Sequence, residues 1–284
     1  MNSSIAVLIT VYNRKGKTLS CLKDVHSLLK SEGDIIDVFV VDGGSTDGTP
    51  QSIAESFPDV SVEVCKGLYW AGGMRRAWDM ALNAGREYSH YLLVNDDTRL
   101  YPAALRELMH AESCFPGGLY IGATKDPVTG CCSYGGRYLM RTGHEKSVMC
   151  LPDGNLHRVE LGNANIMLVS LDAFKRLGGL SDAYTHGIAD YDYTMTAVES
   201  GIPVVLAAHY CGECRDDHGN SWLGQITSLK DRISYLYSPK GLAYREYMYY
   251  VKKFFPKDLL SLKIKLWVKT LFPFLWEIKK RNSI

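Results

Sequence analysis

The chain has 284 residues, of which 46% are apolar and 22% charged, the balance of an ordinary globular protein rather than a disordered or fibrous one. At this length it buries a sizeable core and forms one large domain or a domain with appendages. A formal net charge of +1 gives no overall pull toward nucleic acid. No apolar run approaches the about 20 residues of a membrane span, and no secretory segment opens the chain. An intracellular protein is expected, its eight cysteines reduced thiols.

Strand and helix signals alternate from the start. Ile5–Val11 reads as a strand, Lys17–Leu29 as a helix, and Asp37–Val41 as a second strand ending at Asp42. Gly43–Gly48 is a turn, and Pro50 suits the first turn of the next helix. Val60–Val64 alternates as a strand should, Gly72–Gly85 is helical, and Tyr91–Val94 is the short apolar run of an inner strand. A helix runs from Pro102 to about Ser113. This βαβα order implies a mostly parallel sheet with helices on both faces.

After Gly117 the pattern loosens. Tyr120–Thr124, Ser133–Met140 and Asn165–Ser170 read as strands, and Leu171–Leu177 as a short helix that Gly178 and Gly179 terminate. Asp190–Ser200 is helical, Pro203–Ala208 a strand, and Tyr210–Trp222 a polar loop. From Gln225 the chain is helical and increasingly basic.

Open α/β sheets bind ligands beyond the carboxyl ends of their strands. Asp96 and Asp97 end such a strand, and two adjacent carboxylates repel unless something cationic joins them. A hard divalent ion gripping a ligand's phosphates is one such partner. The bland alternative is that one Asp caps the helix near Pro102 and the other is solvated. Thr10-Val11-Tyr12-Asn13-Arg14 and Val41–Thr49 follow two further strands and open onto the same crevice. An Asp at a strand end accepts hydrogen bonds from a ribose or base, and the glycines permit close backbone approach. A plain Asx-turn loop is the competing reading.

Together these segments resemble family 2 glycosyltransferases of the GT-A fold. The resemblance lies in the opening strand with its Tyr-Asn turn, in Val41-Asp-Gly-Gly-Ser-Thr-Asp-Gly-Thr49, and in the Asp-rich strand end Asn95–Asp97. It covers about residues 5–222 and implies a catalytic domain over 1–222, with a donor half to about 115 and an acceptor half from about 116. Residues 223–284 form a basic helical extension. The implied reaction is inverting transfer of a sugar from a nucleotide-diphosphate donor to an acceptor hydroxyl in surface polysaccharide synthesis. In that reading Thr10, Val11, Asn13, Asp42, Gly43, Trp70, Gly73, Arg75 and Asp96 bind the donor. Asp97 and His218 hold Mg²⁺ or Mn²⁺, and Asp190 is the general base.

Several of these places depart from the family or carry a plainer explanation. Tyr69 and Trp70 replace an Asn that often precedes the glycines, and Ala189 replaces the Glu before Asp190. Trp70 would otherwise be core, Arg75 and Arg76 solvated, and Asp190 or Asp192 a helix-capping acid. Cys211, Cys214, His209 and His218 form a zinc alternative whose spacing is not that of a zinc finger. Val251–Arg281 interleaves lysines with Leu, Phe and Trp, which suits either an anionic bilayer surface or a helix docked on its own domain. From that stretch a peripheral protein on the cytoplasmic face of the membrane is expected. Its acceptor would be a saccharide, lipid-linked as for many similar enzymes. A sugar nucleotidyltransferase would carry a Gly-rich loop with Arg and Lys after the first strand, where VYNRKGK has a single glycine. An inactive GT-A-like binding protein is the rival outside enzymes.

Overall fold

The computed structural model describes residues 3–28, 35–140, 145–216 and 227–275. In chain order the strands are β1 (Ser4–Val11), β2 (Ile35–Asp42), β3 (Ser61–Val64), β4 (His90–Asn95), β5 (Arg99–Leu100), β6 (Leu119–Ile121), β7 (Thr124–Lys125), β8 (Cys132–Tyr134), β9 (Gly136–Leu139), β10 (Ser147–Met149), β11 (His157–Arg158), β12 (Leu161–Gly162), β13 (Ile166–Ser170), β14 (Val204–Leu206) and β15 (Gly212–Glu213). The helices are α1 (Lys15–Leu28), α2 (Thr49–Ser56), α3 (Trp70–Leu82), α4 (Ala104–Cys114), α5 (Leu171–Leu177), α6 (Ala189–Glu199), α7 (Leu229–Tyr237), α8 (Tyr244–Phe254) and α9 (Leu259–Leu271).

The expected mostly parallel sheet flanked by helices is present, in the order β11-β14-β6-β13-β4-β1-β2-β3. Strands β1 to β4 run parallel, β13 lies antiparallel between β4 and β6, and β14 runs parallel to β6. Side chains alternate along β1 as the pleat requires. Ile5, Val7, Ile9 and Val11 pack against α1, α2 and α4, while Ala6 and Leu8 share the other face with α3, α5, α6 and α8. The register sets Thr10 beside both Val41 and Asn95, and Val11 beside Asp42. The loops after β1, β2 and β4 therefore leave one edge of the sheet together.

The second half differs from the strand reading in detail. The single strands expected over Tyr120–Thr124 and Ser133–Met140 are each split, at Gly122 and Gly135. A Cβ on Gly122 would lie 2.8 Å from the Cβ of Cys211, so that glycine admits a close crossing of the neighbouring chain. The polar loop expected from Tyr210 begins as buried structure. Gly212 and Glu213 pair with β5 and β7, and Cys211 and Cys214 are both buried. At the C-terminal end, Tyr250, Val251 and Phe255 join the main core, and α7 and α9 pack around Leu236, Tyr244 and Leu266. Among the described residues no helix is long and apolar enough to cross a membrane.

Candidate active site

At the end of β2, Asp42 is fully buried. Its Oδ1 accepts hydrogen bonds from the backbone N–H groups of Gly44 and Ser45 at 2.7 and 2.6 Å. Its Oδ2 is buried without a hydrogen-bond partner among the described residues, an expensive state unless a ligand donor completes it. Gly43 follows because a Cβ there would sit 2.8 Å from the Leu68 carbonyl oxygen. Thr10, Val11, Gly43, Gly44 and Trp70 line a cavity of about 660 Å³, together with Tyr12, Arg14, Lys66 to Tyr69, Asp96, His186 and Lys240.

Four expected donor-site residues do not line this cavity: Asp42, buried behind Gly43 and Gly44, and three placed elsewhere. Asn13, at φ 50, accepts from the Thr46 N–H at 2.8 Å and donates its own backbone N–H to Ser45 Oγ at 2.8 Å. It ties two loops together and does not line the cavity. Gly73 is a packing position: a Cβ there would lie 2.1 Å from Thr10 Oγ1, so its absence lets α3 settle on β1. Arg75 donates to the carbonyls of Ser181 and Tyr184 at 2.7 and 3.0 Å, and Arg76 forks onto both Glu63 oxygens. Neither arginine lines the cavity, because each satisfies acceptors of its own fold. Trp70 is half-buried, and its indole N–H donates to Asn95 Oδ1 at 2.7 Å.

The two carboxylates ending β4 are joined by a cation from the chain itself. Arg14 Nη1 lies 3.2 Å from Asp96 Oδ1 and 2.7 Å from Asp97 Oδ2, and Lys17 Nζ is 3.7 Å from the same Asp97 oxygen. Thr18 donates to Asp96 Oδ2 at 3.1 Å. Neither Asp caps the helix near Pro102, so the bland reading fails in that form. Burial pushes the Asp96 carboxyl up to about 6, against the opposing pull of Arg14. Arg14 marks where a cation between these oxygens is favoured, and the oxygens are hard donors of the kind Mg²⁺ or Mn²⁺ takes.

A second cavity, of about 440 Å³, shares Arg14, Trp70, Asp96 and His186 with the first. Asp97, Asn163 to Asn165 and Gly187 to Ile188 also line it, with Asp190 in the first turn of α6. Among the described residues Asp190 receives only neutral donors. Asn163 Nδ2 and the Ala164 N–H reach Oδ2 at 3.4 and 3.3 Å, and the Tyr191 N–H reaches Oδ1 at 2.9 Å. Burial raises its pKa, and these hydrogen bonds only partly offset that. Just before it, Ile188 sits at φ 69, a left-handed conformation that is strained for a β-branched residue and is found at sites the surroundings over-determine.

Asp192, two residues on, is not a cap. It is buried, accepts from Tyr184 Oη at 2.8 Å, and pairs with Lys253 Nζ of α8 at 2.9 and 3.1 Å. Lys253 thereby sets its ammonium against Asp192, while the residue stays exposed on the basic surface expected at the C-terminus. His218 lies outside the described residues. Cys214 turns toward Asn165 and Asp97, while Cys211 turns toward the His209 carbonyl and His209 pairs with Glu107. Among the described residues no three His, Cys, Asp or Glu converge on a metal position. Sequence reasoning missed His186, whose ring belongs to both cavities and whose pKa burial lowers, and Lys66 and Lys240. Only their place on the folded surface marks them.

Residues 6–111, from β1 into α4, match the family model described as Glycosyl transferase family 2. The resemblance to family 2 glycosyltransferases is shown over this segment. It takes in Thr10, Asp42, Trp70 and the acidic pair, and it ends before Asp190. Among solved structures the chain is similar to the mannosyltransferase PcManGT from Pyrobaculum calidifontis, described in complex with GDP-Man and Mn²⁺, at 15% identity and a TM-score of 0.49. The match covers 82% of this chain and 61% of that one. No curated protein matches the sequence.

Proposed function

We propose that the protein is an inverting glycosyltransferase that moves a sugar from a nucleotide-diphosphate donor to an acceptor hydroxyl. The observation that carries this reading is the pair of cavities meeting at Arg14, Trp70, Asp96 and His186. One is lined mostly by the family segment at the strand ends, and the other contains a carboxylate with no cationic partner among the described residues. Residues 1–222 would be the catalytic unit, with the donor half to about 115 and the acceptor half beyond it.

In this reading the nucleotide lies on Thr10, Val11, Gly43, Gly44 and Trp70. A base or ribose donor completes the open oxygen of Asp42, where a buried unpaired acceptor otherwise lowers stability. Asp97 and Asp96 would hold Mg²⁺ or Mn²⁺, which when bound neutralises charge on the leaving diphosphate. Asp190 takes the proton of the acceptor hydroxyl. The acceptor oxygen then bonds to the anomeric carbon as the bond from that carbon to the diphosphate oxygen breaks on the opposite face, which inverts the centre. Burial suits Asp190 to this work, since a base is most effective when its pKa approaches the working pH.

The exposed side chains of Leu260, Ile264 and Leu271 recur along α9 at helical spacing and continue into Phe272, Phe274 and Leu275, beside exposed Lys257, Lys263 and Lys265. This supports peripheral attachment to an anionic membrane, where a lipid-linked acceptor of surface polysaccharide synthesis would be presented. Leu260→Ser with Ile264→Ser should lower co-sedimentation with anionic vesicles and leave the fold intact. Unchanged partitioning would remove the membrane from this account.

The function is tested by thermal shift against nucleotide-diphosphate sugars with Mn²⁺, since a ligand of the native state raises its stability, followed by donor hydrolysis without acceptor. An inactive binding protein would bind without hydrolysing, and a sugar nucleotidyltransferase would instead release pyrophosphate from a nucleoside triphosphate and a sugar phosphate. One observation favours the binding-protein reading: Arg14 and Lys17 already neutralise the acidic pair.

A further inference from the structure

We propose that Lys240, on the turn between α7 and α8, binds the phosphates of the nucleotide donor, so that the C-terminal helical segment completes the donor site. This rests on the nucleotide-sugar reading and adds a ligand from outside the family segment, which ends at residue 111.

The first cavity is strongly unbalanced in charge. Arg14, Lys66 and Lys240 face it beside His186, whose neutral form burial favours, and Asp96 is its one acidic lining residue among those described. Arg14 already bridges Asp96 and Asp97, whereas Lys66 and Lys240 pair with no carboxylate among the described residues. Lys240 is instead held by an aromatic face, its Nζ 5.2 Å from the centroid of the Tyr12 ring in the loop after β1. Such a contact keeps an ammonium in place without neutralising it. The nearby acid on the same segment, Glu246, accepts from the Thr185 N–H and Oγ1 at 3.1 and 2.6 Å. It anchors the loop carrying His186 and makes no ion pair with Lys240 among the described residues.

The turn that presents Lys240 is fixed by its own backbone. Gly241 and Ala243 donate their N–H groups to the Ser238 carbonyl at 2.9 and 3.1 Å, and Leu242 donates to the Tyr235 carbonyl at 3.2 Å. A Cβ at position 241 would fall 2.0 Å from the Tyr235 oxygen, so only glycine closes the turn this way. A fixed ammonium beside a strand-end nucleotide crevice fits a ligand with two phosphates, for which lysine serves as a point charge.

The experiment is calorimetric titration of the full chain, with Mn²⁺ present, against UDP, GDP, dTDP, CDP and ADP and against the corresponding nucleosides. Lys240→Gln should weaken the diphosphate that binds by roughly 10-fold or more, the loss of one charge-assisted hydrogen bond. It should leave the nucleoside unchanged and flatten the salt dependence of diphosphate binding. Lys240→Arg should keep most of the affinity. Because the side chain is exposed, thermal unfolding of both variants should match the wild type. Diphosphate affinity equal to wild type in Lys240→Gln, or equal loss for nucleoside and diphosphate, overturns the assignment while the donor reading stands. A wild-type chain that binds none of these diphosphates overturns the donor reading and this inference with it.

Discussion

The end of β4 and the start of α6 each carry two acidic residues, and the fold treats them in opposite ways. At β4 both carboxylates are gathered by cations, Asp96 and Asp97 by Arg14 and Asp97 also by Lys17. At α6 the pair is divided. Asp192 is buried against Lys253 and Tyr184, whereas Asp190, among the described residues, meets only backbone and amide N–H groups at a cavity wall. A cation favours the charged form of a carboxylate and burial disfavours it. At Asp96 burial outweighs Arg14, whereas at Asp190 burial is opposed only by hydrogen bonds from neutral groups. Cation partners fix an acid in place, and what separates Asp190 is that its carboxylate stands at a cavity wall with no such partner among the described residues.

The largest test of that contrast is Asp190→Asn. Turnover should fall roughly 10²–10⁴-fold, the usual contribution of a positioned base, with donor affinity retained. A variant with wild-type turnover would put the base elsewhere. The acid limb of the wild-type pH–rate profile should report the same group. Asp190 works only as a carboxylate and burial raises its pKa, so activity should be lost on acidification at a pH above the about 3.9 of an ordinary Asp. A limb at the ordinary value would contradict the burial argument.

Next in size is the acidic pair. Asp97→Asn should abolish the part of nucleotide-diphosphate affinity that EDTA removes, and unchanged affinity with and without EDTA would sink the metal assignment. Arg14→Gln sharpens the point, because it frees oxygens that the guanidinium occupies. Affinity for Mn²⁺ alone should rise by a few-fold in titration calorimetry, the expected result of removing a competing charge. If stability drops and Mn²⁺ affinity does not rise, the pair is an anchor like Asp192. The smallest effect belongs to that anchor. Lys253→Met leaves Asp192 buried with Tyr184 alone, so unfolding free energy should fall by about 1–3 kcal/mol, with turnover per folded molecule unchanged. A loss of turnover at full stability would instead tie Asp192 to the chemistry.

The sequence by itself determined the first half. Alternating apolar strands and amphipathic helices can bury their surface only as a layered sheet, and the Asp-Gly-Gly turn after β2 is a local consequence of Asx chemistry and glycine at tight approaches. That was enough to place Thr10, Asp42, Trp70 and the acidic pair at one edge. The second half was legible only in part. Strands of two or three residues carry too little periodicity to read, which left β10, β11, β12 and β15 unseen. What tertiary structure alone decided is which charges meet. Arg14 reaches Asp96 across 82 positions, Lys253 reaches Asp192 across 61, and Glu246 reaches Thr185 across 61. Local sequence does not encode those pairings. They arise when sheet register and helix packing bring distant segments within a few ångströms, where Coulombic attraction and desolvation fix the state of each acid.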